Sequence, residues 1–284
     1  MSEKKYNGKI LITGARGFIG QNMVQYFLAK DYDVDGFEWV PNIIPDVTRY
    51  DWVIHLGAIS DTTEQDVDKV WEQNFEFTSR LIQVCDQFGV NLQLASTSAV
   101  YGPGYDGFKE NSKCLPQTPY AWSKYLIDKS LRDVSFENFT SLVQSFRYFN
   151  VYGPGEGHKG DQMSMVSKWQ KQASHEGKVK VFENSDTFHR DLICVYDVCR
   201  IHHLMMNKDV SGIFNVGTGE ANNLEEVANT IAKKYNAEVE TIKMPHHLQG
   251  QYQPFTQADT EKLLEQIGDH KFWTVEEYLN DQSV

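Results

Sequence analysis

The chain has 284 residues, of which 40% are hydrophobic and 23% charged, as in an ordinary globular protein rather than a disordered one. Its formal net charge is −12 with no basic tail or Lys/Arg block, which argues against a nucleic-acid partner, because phosphates attract a positive surface. No apolar run approaches the roughly 20 residues that cross a bilayer, and no secretory signal is recognised before the first strand. The four cysteines lack the spacing of a disulfide framework. A cytoplasmic protein without a membrane partner is therefore expected.

The first half of the chain alternates apolar, β-branched runs with helical patterns. Strands are predicted at residues 9–13, 34–39, 52–56, 91–95 and 141–146, and helices at 17–30, 64–88 and 119–134. The connection at 41–50 contains two prolines and is shorter than a helical crossover usually needs, so this crossover is interpreted as trimmed. The alternation predicts an α/β fold over residues 1–152, a doubly wound, Rossmann-like parallel sheet.

After Tyr152 the alternation weakens. A helix is predicted from about Gln162, strands near Val179 and Leu192, and helices near 224–235 and 258–267. Residues 153–284 are therefore predicted to form a smaller mixed α/β lobe that binds substrate, with some of the chain returning to the first domain.

A glycine-rich turn, TGARGFIG at 13–20, joins the first strand to the first helix. At such a junction Gly14, Gly17 and Gly20 allow a tight turn, a close approach of backbone to a pyrophosphate, and phosphate at the helix N-terminus. The turn predicts a dinucleotide site. Glu38, 18 residues after Gly20, would bond the adenosine ribose hydroxyls and repel a 2′-phosphate, whereas Arg16 would attract one. These two residues leave NAD and NADP open, and both could instead be surface charges.

Tyr120 and Lys124 lie one helical turn apart and so share a helix face. A tyrosine is a poor base at neutral pH because its pKa is near 10, and a nearby ammonium favours the phenolate. Lys124 could also hold the nicotinamide ribose. Thr97, in the run ASTSAVYG after the fourth strand, could bind the substrate oxygen that becomes a carbonyl, although such clusters also cap turns.

These motifs, together with HLGA at 55–58 and RYFNVYGP at 147–154, resemble the extended short-chain dehydrogenase/reductase family of epimerases and dehydratases. EGHKG at 156–160 and YQPFTQAD at 252–259 are more particular and are similar to the ADP-heptose 6-epimerases within that family. The resemblance implies an isomerase that interconverts two ADP-heptoses at C6 in the synthesis of lipopolysaccharide precursors. It also implies an ADP-sugar or related substrate, NADP as cofactor with NAD as the alternative, and a homo-oligomer.

The resemblance implies roles for individual residues. Tyr120 would be one acid/base and Lys159 the second, assisted by Lys124 and Thr97. Further residues would line the cofactor, namely Phe18, Ile19, Leu56, Gly57, Ala58, Ser60, Val151 and either Asn74 or Gln73. Others would contact the ADP-sugar, namely Asn150, Phe182, Glu183, Ser185, Arg190 and Tyr252.

The chain also departs from the family pattern. It lacks the segment whose lysines help to hold a 2′-phosphate, which weakens the case for NADP. Asp161 and Lys168 stand where the family carries a Ser and a His, so the exact sugar stays open.

The chemistry of inversion requires two proton-transfer groups. An unactivated C–H proton is too weakly acidic for any side chain, whereas transient oxidation to a ketone removes it as hydride. When the ketone turns, its oxygen must meet a second proton donor, and Tyr120 with Lys159 would serve the two orientations.

Several alternatives stay open. Lys159 could be a phosphate-binding or surface lysine, and Arg190 with Asp191 a local ion pair. The rival activities are another hexose epimerase or a 4,6-dehydratase, although Ser98 and Ala99 stand where dehydratases carry Asp-Glu. A non-catalytic NAD(P)-sensing protein is the remaining rival. No metal is expected, because the histidines are scattered and the cysteines lack zinc spacing.

Overall fold

The computed structural model describes residues 8–104, 106–246 and 253–281. The strands within these ranges are β1 (Lys9–Thr13), β2 (Asp33–Phe37), β3 (Trp52–His55), β4 (Asn91–Thr97), β5 (Val143–Tyr148), β6 (Asn150–Tyr152), β7 (Lys178–Phe182), β8 (His189–Cys194), β9 (Gly212–Val216), β10 (Ala221–Asn223) and β11 (Glu238–Ile242). The α-helices are α1 (Phe18–Leu28), α2 (Val67–Val70), α3 (Phe77–Phe88), α4 (Pro119–Val134), α5 (Met165–Glu176), α6 (Val195–Met206), α7 (Leu224–Tyr235), α8 (Glu261–Ile267) and α9 (Val275–Asn280).

The central sheet has six parallel strands in the order β2-β1-β3-β4-β5-β9. Successive side chains of a strand point to opposite faces, and β1 shows the consequence. Ile10 and Ile12 pack in one apolar cluster with α1 and α6, whereas Leu11 packs in another with α3 and α4. Helices thus cover both faces of the sheet, and the predicted doubly wound α/β fold is confirmed.

The long helical stretch predicted at 64–88 begins three residues later, at Val67. Asp66 is the N-cap of α2, because its carboxylate accepts a hydrogen bond from the Lys69 backbone N–H. The helix therefore begins directly after it. The stretch is also not regular, since a π-helical turn at Trp71–Glu76 separates α2 from α3. Between β2 and β3, where the connection was interpreted as trimmed, the structure has no helix.

Five of the strands and α-helices described after Tyr152 were not predicted, namely α6, β9, β10, β11 and α9. β9 joins the edge of the central sheet, where Arg147 of β5 pairs with Asn215, and α6 packs against α1. The other elements after Tyr152 form a three-stranded sheet (β10-β8-β6), a two-stranded sheet (β11-β7) and the helices around them. The domain boundary at residue 152 stays a prediction. Among the described residues, no helix is long and apolar enough to span a membrane.

Candidate active site

A cleft of about 490 Å³ lies at the carboxyl end of the central sheet. The chain contributes Gly14 after β1, Glu38 after β2, Leu56 after β3, Thr97 at the end of β4 and Tyr148 at the end of β5. Ligand sites of open parallel sheets form at this edge, so the position of the cleft marks it as the candidate active site.

Most residues predicted to hold a cofactor line this cleft, namely Gly14, Gly17, Phe18, Ile19, Gly20, Glu38, Leu56, Gly57, Ala58, Ser60, Lys124 and Val151. The four residues predicted to be catalytic also line it, namely Thr97, Tyr120, Lys124 and Lys159. Other lining residues were not singled out in the sequence, namely Trp39, Ala95, Ser96, Tyr148, Phe149 and His158. The structure therefore brings both predicted groups together in one cavity, and their roles stay predictions.

The glycine turn fits its predicted role in backbone geometry. Gly14 has φ +69°, and a Cβ there would lie 2.7 Å from the backbone of Gly57. A Cβ on Gly20 would lie 2.0 Å from the carbonyl oxygen of Gly14. Only glycine permits both contacts, and they leave the N-terminus of α1 open to the cleft beyond Gly17, where a pyrophosphate would bind.

The acidic residue after β2 is held against the same turn. Glu38 Oε1 accepts a hydrogen bond of 2.8 Å from the backbone N–H of Arg16. The side chain of Arg16 is exposed and is not among the residues that line the cleft. Glu38 therefore lines the cleft, whereas Arg16 does not.

Of the neighbours Gln73 and Asn74, Gln73 lines the cleft and Asn74 is completely buried. The Asn74 amide accepts from the backbone N–H of Ile59 at 2.8 Å and donates to the Ile59 carbonyl at 2.9 Å and to Ser123 at 3.1 Å. Asn74 thus holds the loop after β3 against α4.

His55, in the HLGA motif, connects three parts of the site. Its Nδ1 lies 2.6 Å from the hydroxyl of Thr13 and its Nε2 lies 2.8 Å from that of Thr78. Burial, helped by the charge of Lys124, lowers the pKa of His55 to about 3, so the ring is neutral. The motif was noticed in the sequence, but these contacts over 42 and 23 residues have no local signal.

Tyr120 and Lys124 lie on the first turns of α4, which begins at Pro119 because Thr118 caps it. Burial raises the pKa of Tyr120, and a hydrogen bond with Thr97 opposes that rise. The sequence predicted that Lys124 would lower this pKa. In the structure, desolvation of the phenolate is instead the largest effect.

The Thr97 hydroxyl caps a turn and lies beside Tyr120, while its role in binding the substrate oxygen stays a prediction. Its Oγ1 accepts from the Ala99 backbone N–H at 3.2 Å, which caps the turn after β4, while the hydroxyl bonds to Tyr120. The cap fixes the oxygen in place, so that the same hydroxyl can face the cleft.

Lys124 is 4% exposed, and burial lowers its pKa to about 8, against the opposing charge of Asp128. Asp128 forms an ion pair of 2.8 Å with Arg147, and both side chains are completely buried. Asp128 also accepts from Ser96 at 3.0 Å and Ser145 at 2.7 Å, which fixes the base of α4 against β4 and β5.

Tyr148 lines the cleft, and its hydroxyl bonds to a buried histidine. The hydroxyl lies 2.6 Å from Nε2 of His202, whose Nδ1 lies 2.7 Å from Oε1 of Gln93. Because the Gln93 oxygen can only accept, Nδ1 carries the ring proton and Nε2 accepts from Tyr148. Burial lowers the pKa of His202 to about 3, which keeps this network neutral.

Lys159 approaches the cleft from the segment that follows β6. Its Nζ lies 3.2 Å from Oε2 of Glu156 and 5.1 Å from the centre of the Phe18 ring. The lysine therefore stands beside the glycine turn, in the same cavity as Tyr120.

The residues predicted to contact the sugar nucleotide lie elsewhere among the described residues. Asn150, Phe182, Glu183, Ser185 and Arg190 are not part of the cleft lining. The Asn150 amide donates to the Asp191 carbonyl at 2.9 Å, and Ser185 donates to Glu225 at 3.0 Å. Tyr252 lies outside the described residues.

The carboxylate of Asp191 organises the region beside Arg190. It accepts from the backbone N–H groups of Thr218 at 2.7 Å, Gly219 at 2.9 Å and Ala258 at 2.9 Å. Asp191 thereby joins β8 to the turn after β9 and to the segment before α8.

Comparison with known proteins identifies this arrangement. The sequence model of the NAD dependent epimerase/dehydratase family matches residues 10–217. The chain belongs to this family. The match begins in β1 and ends just after β9, so it includes the glycine turn, the Tyr120–Lys124 pair and Lys159, and it confirms the family predicted from the motifs.

Two relatives within the epimerase/dehydratase family share a name. The chain is 34% identical to an ADP-L-glycero-D-manno-heptose-6-epimerase of Brachyspira hyodysenteriae, over 89% of this chain and 90% of that protein. Its fold matches the crystal structure of the Helicobacter pylori ADP-L-glycero-D-manno-heptose-6-epimerase with a TM-score of 0.85 and 24% identity, over 98% of this chain and 96% of that one. The fold also matches the Thermus thermophilus UDP-glucose 4-epimerase in complex with NAD, with a TM-score of 0.76 and 24% identity, over 96% and 98% of the two chains.

Proposed function

We propose that the protein is a nucleotide-sugar epimerase that inverts C6 of an ADP-heptose. The observation that carries the proposal is the presence of two proton-transfer groups, Tyr120 and Lys159, in the one cleft that contains the glycine turn. The name of the 34% identical relative supports the choice of sugar.

The residues of the cleft divide the reaction between them. Gly14, Gly17 and Glu38 would hold a nicotinamide dinucleotide in the cleft, which would supply the hydride chemistry for transient oxidation of the sugar carbon to a ketone. Tyr120 takes the hydroxyl proton as the C–H bond breaks, while Thr97 bonds to the tyrosine oxygen. After the ketone turns, Lys159 gives a proton to the carbonyl oxygen. Lys124, in its ammonium form, favours the tyrosine phenolate.

For the cofactor we favour NAD over NADP. The Glu38 carboxylate lines the cleft and is fixed by the Arg16 backbone, whereas the Arg16 guanidinium is exposed. A fixed carboxylate accepts hydrogen bonds from ribose hydroxyls and repels a 2′-phosphate. Titration by isothermal calorimetry is expected to give tighter binding of NAD than of NADP, and Glu38→Gln is expected to reduce that preference. Glu137→Gln, a change of an exposed carboxylate far from the cleft, serves as the control; tighter binding of NADP by the wild type would overturn the choice.

The activity is tested with ADP-D-glycero-D-manno-heptose as substrate and NMR of the C6 configuration as readout. We expect interconversion by the wild type, and loss of about 100-fold or more in kcat for Tyr120→Phe and for Lys159→Met, because each removes a proton-transfer group. Lys171→Met, which removes an exposed lysine of α5, should keep wild-type activity. Full activity in both cleft variants would refute the roles, and conversion of a UDP- or GDP-sugar alone would refute the substrate.

We also propose that the protein is a homo-oligomer. Val67, Trp71 and Trp122 are 57%, 39% and 48% exposed on neighbouring turns of α2, the π-turn and α4. Exposed large apolar side chains on elements that contact one another are typical of interfaces. Sedimentation is expected to show an assembly that Trp122→Glu dissociates and Val134→Glu, at the far end of α4, does not. A monomeric wild type would refute the proposal.

A further inference from the structure

A carboxylate without contact to solvent lies directly behind Lys159. The side chain of Glu156 is 1% exposed, although it stands on the surface segment between β6 and α5. Its Oε1 accepts from the hydroxyls of Ser164 at 2.6 Å and Ser167 at 2.7 Å. Its Oε2 accepts from the backbone N–H of Ser164 at 2.6 Å and from Nζ of Lys159 at 3.2 Å.

Three of the four contacts come from groups that donate to the Glu156 carboxylate. The backbone N–H of Ser164 and the ammonium of Lys159 can only donate, and the Ser164 oxygen already accepts from the Ser167 N–H, so its own proton is directed to Glu156. A buried carboxylate needs a counter-charge, and Lys159 is the cation within reach. The cluster therefore places a fixed negative charge behind the lysine.

The same lysine makes a second contact, with an aromatic ring. Nζ of Lys159 lies over the ring of Phe18, which belongs to the first turn of α1 and lines the cleft. The segment is also tied to this helix, because Asn22 donates to the carbonyl oxygen of Pro154 at 2.9 Å. Lys159 is thus held between a carboxylate of its own segment and an aromatic ring of the cofactor turn.

We propose that Glu156 is a positioning residue that holds the Lys159 ammonium at the wall of the cleft, oriented for proton transfer. This inference rests on the proposed function, in which Lys159 is the second acid/base. A lysine side chain is long and flexible, so without a fixed partner its ammonium samples many positions. Proton transfer needs the donor within hydrogen-bond reach of the substrate oxygen.

Glu156 also stabilises the start of α5 through Ser164, so the test must separate positioning from folding. Glu156→Gln keeps the volume and an acceptor for the serine hydroxyls but removes the charge that holds the ammonium. Ser167→Ala is the matched control, because it removes one contact on the α5 side of Glu156 and leaves the contact with Lys159. Glu156→Asp keeps the charge on a shorter side chain.

With the ADP-heptose as substrate, Glu156→Gln is expected to lower kcat by about 10- to 100-fold, as displacement of a catalytic group does, with KM nearly unchanged. Glu156→Asp should recover part of the loss, and Ser167→Ala should stay close to the wild type. In a Lys159→Met background, Glu156→Gln should cause no further loss, since the group through which it acts is gone. An equal loss in Ser167→Ala, or a full additional loss in the double variant, would show a merely structural role and overturn the inference.

A readout without substrate distinguishes failure of this inference from failure of the proposed function. Acylation of lysines by an N-hydroxysuccinimide ester, followed by mass spectrometry, measures how fast each amine reacts. An amine that is held by a fixed partner reacts more slowly. We expect Lys159 to react several-fold faster in Glu156→Gln than in the wild type, with Lys171 unchanged as internal reference. If the wild type does not convert the ADP-heptose but this difference is found, the proposed function fails and the positioning stands. Equal labelling of Lys159 in both proteins overturns the positioning.

Discussion

Acid should destabilise this protein through two buried histidines, His55 and His202. Burial lowers the pKa of each to about 3 in the folded state, against a value near 6.5 in the unfolded chain. The folded state therefore stays unprotonated while the unfolded state binds protons, and the stability present above about pH 6.5 is lost as the pH falls towards 3. From about pH 7.5 to about pH 5, each histidine lowers the free energy of unfolding by about 2 kcal/mol.

His202 is the better position to test, because it lies behind the cleft and not beside the glycine turn. Urea unfolding of the wild type and of His202→Gln is measured at both pH values, so that losses from other groups cancel. We expect the variant to lose about 2 kcal/mol less than the wild type between the two conditions. His175→Gln, an exposed histidine on α5, should behave as the wild type. If His202→Gln and the wild type lose the same free energy, His202 is not a buried neutral group and the proposed hydrogen bond from Tyr148 is wrong.

Three further predictions concern the site and its support. Gly20→Ala would place a Cβ 2.0 Å from a backbone oxygen. It should therefore abolish NAD binding and lower the free energy of unfolding by at least about 1–3 kcal/mol. Gly157→Ala, which has open space around it, should unfold in urea as the wild type does. Asp128→Asn leaves a buried guanidinium without its counter-charge and should lower the free energy of unfolding in urea by about 3–5 kcal/mol. Asp133→Asn, on the exposed side of α4, should lower it by about 0–1 kcal/mol. Equal losses would contradict the burial of the Asp128–Arg147 pair. Burial lowers the pKa of Lys124 to about 8, so kcat/KM should fall as the pH rises through that value and the ammonium is lost. Lys124→Arg should move this fall to higher pH. An unchanged pH profile in the variant would show that another group titrates there.

The parts of the fold that the sequence predicted correctly have local signals. The helix at 119–134 was predicted with both ends, because Thr118 and Pro119 mark its start and the pattern is regular. The strand β9 was not predicted, although its residues GIFNV are all buried. Its place in the sheet depends on pairing with β5, some 68 residues earlier, and a short apolar run carries no information about such a partner.

The same distinction applies to the candidate site. The glycine turn and the Tyr120–Lys124 pair were recognisable because their proposed chemistry requires a fixed spacing along the chain. Gln73 and Asn74 could not be separated, since they lie within a π-turn, where the regular 3.6-residue period no longer says which side chain faces the cleft. The bond between Tyr148 and His202 spans 54 residues and could be found only in three dimensions.

The two proposed proton-transfer groups differ in how the chain holds them, and the difference explains why Lys159 needs a partner. Tyr120 stands on a helix of 16 residues that is fixed to the sheet by the buried Asp128–Arg147 pair. Lys159 stands on a short 3₁₀ turn whose backbone offers no such rigidity. Its orientation must come from side chains, and Glu156, three residues earlier, is the side chain that supplies it. The motif EGHKG therefore contains both the proposed acid/base and the carboxylate proposed to place it, on a scaffold that many reactions share.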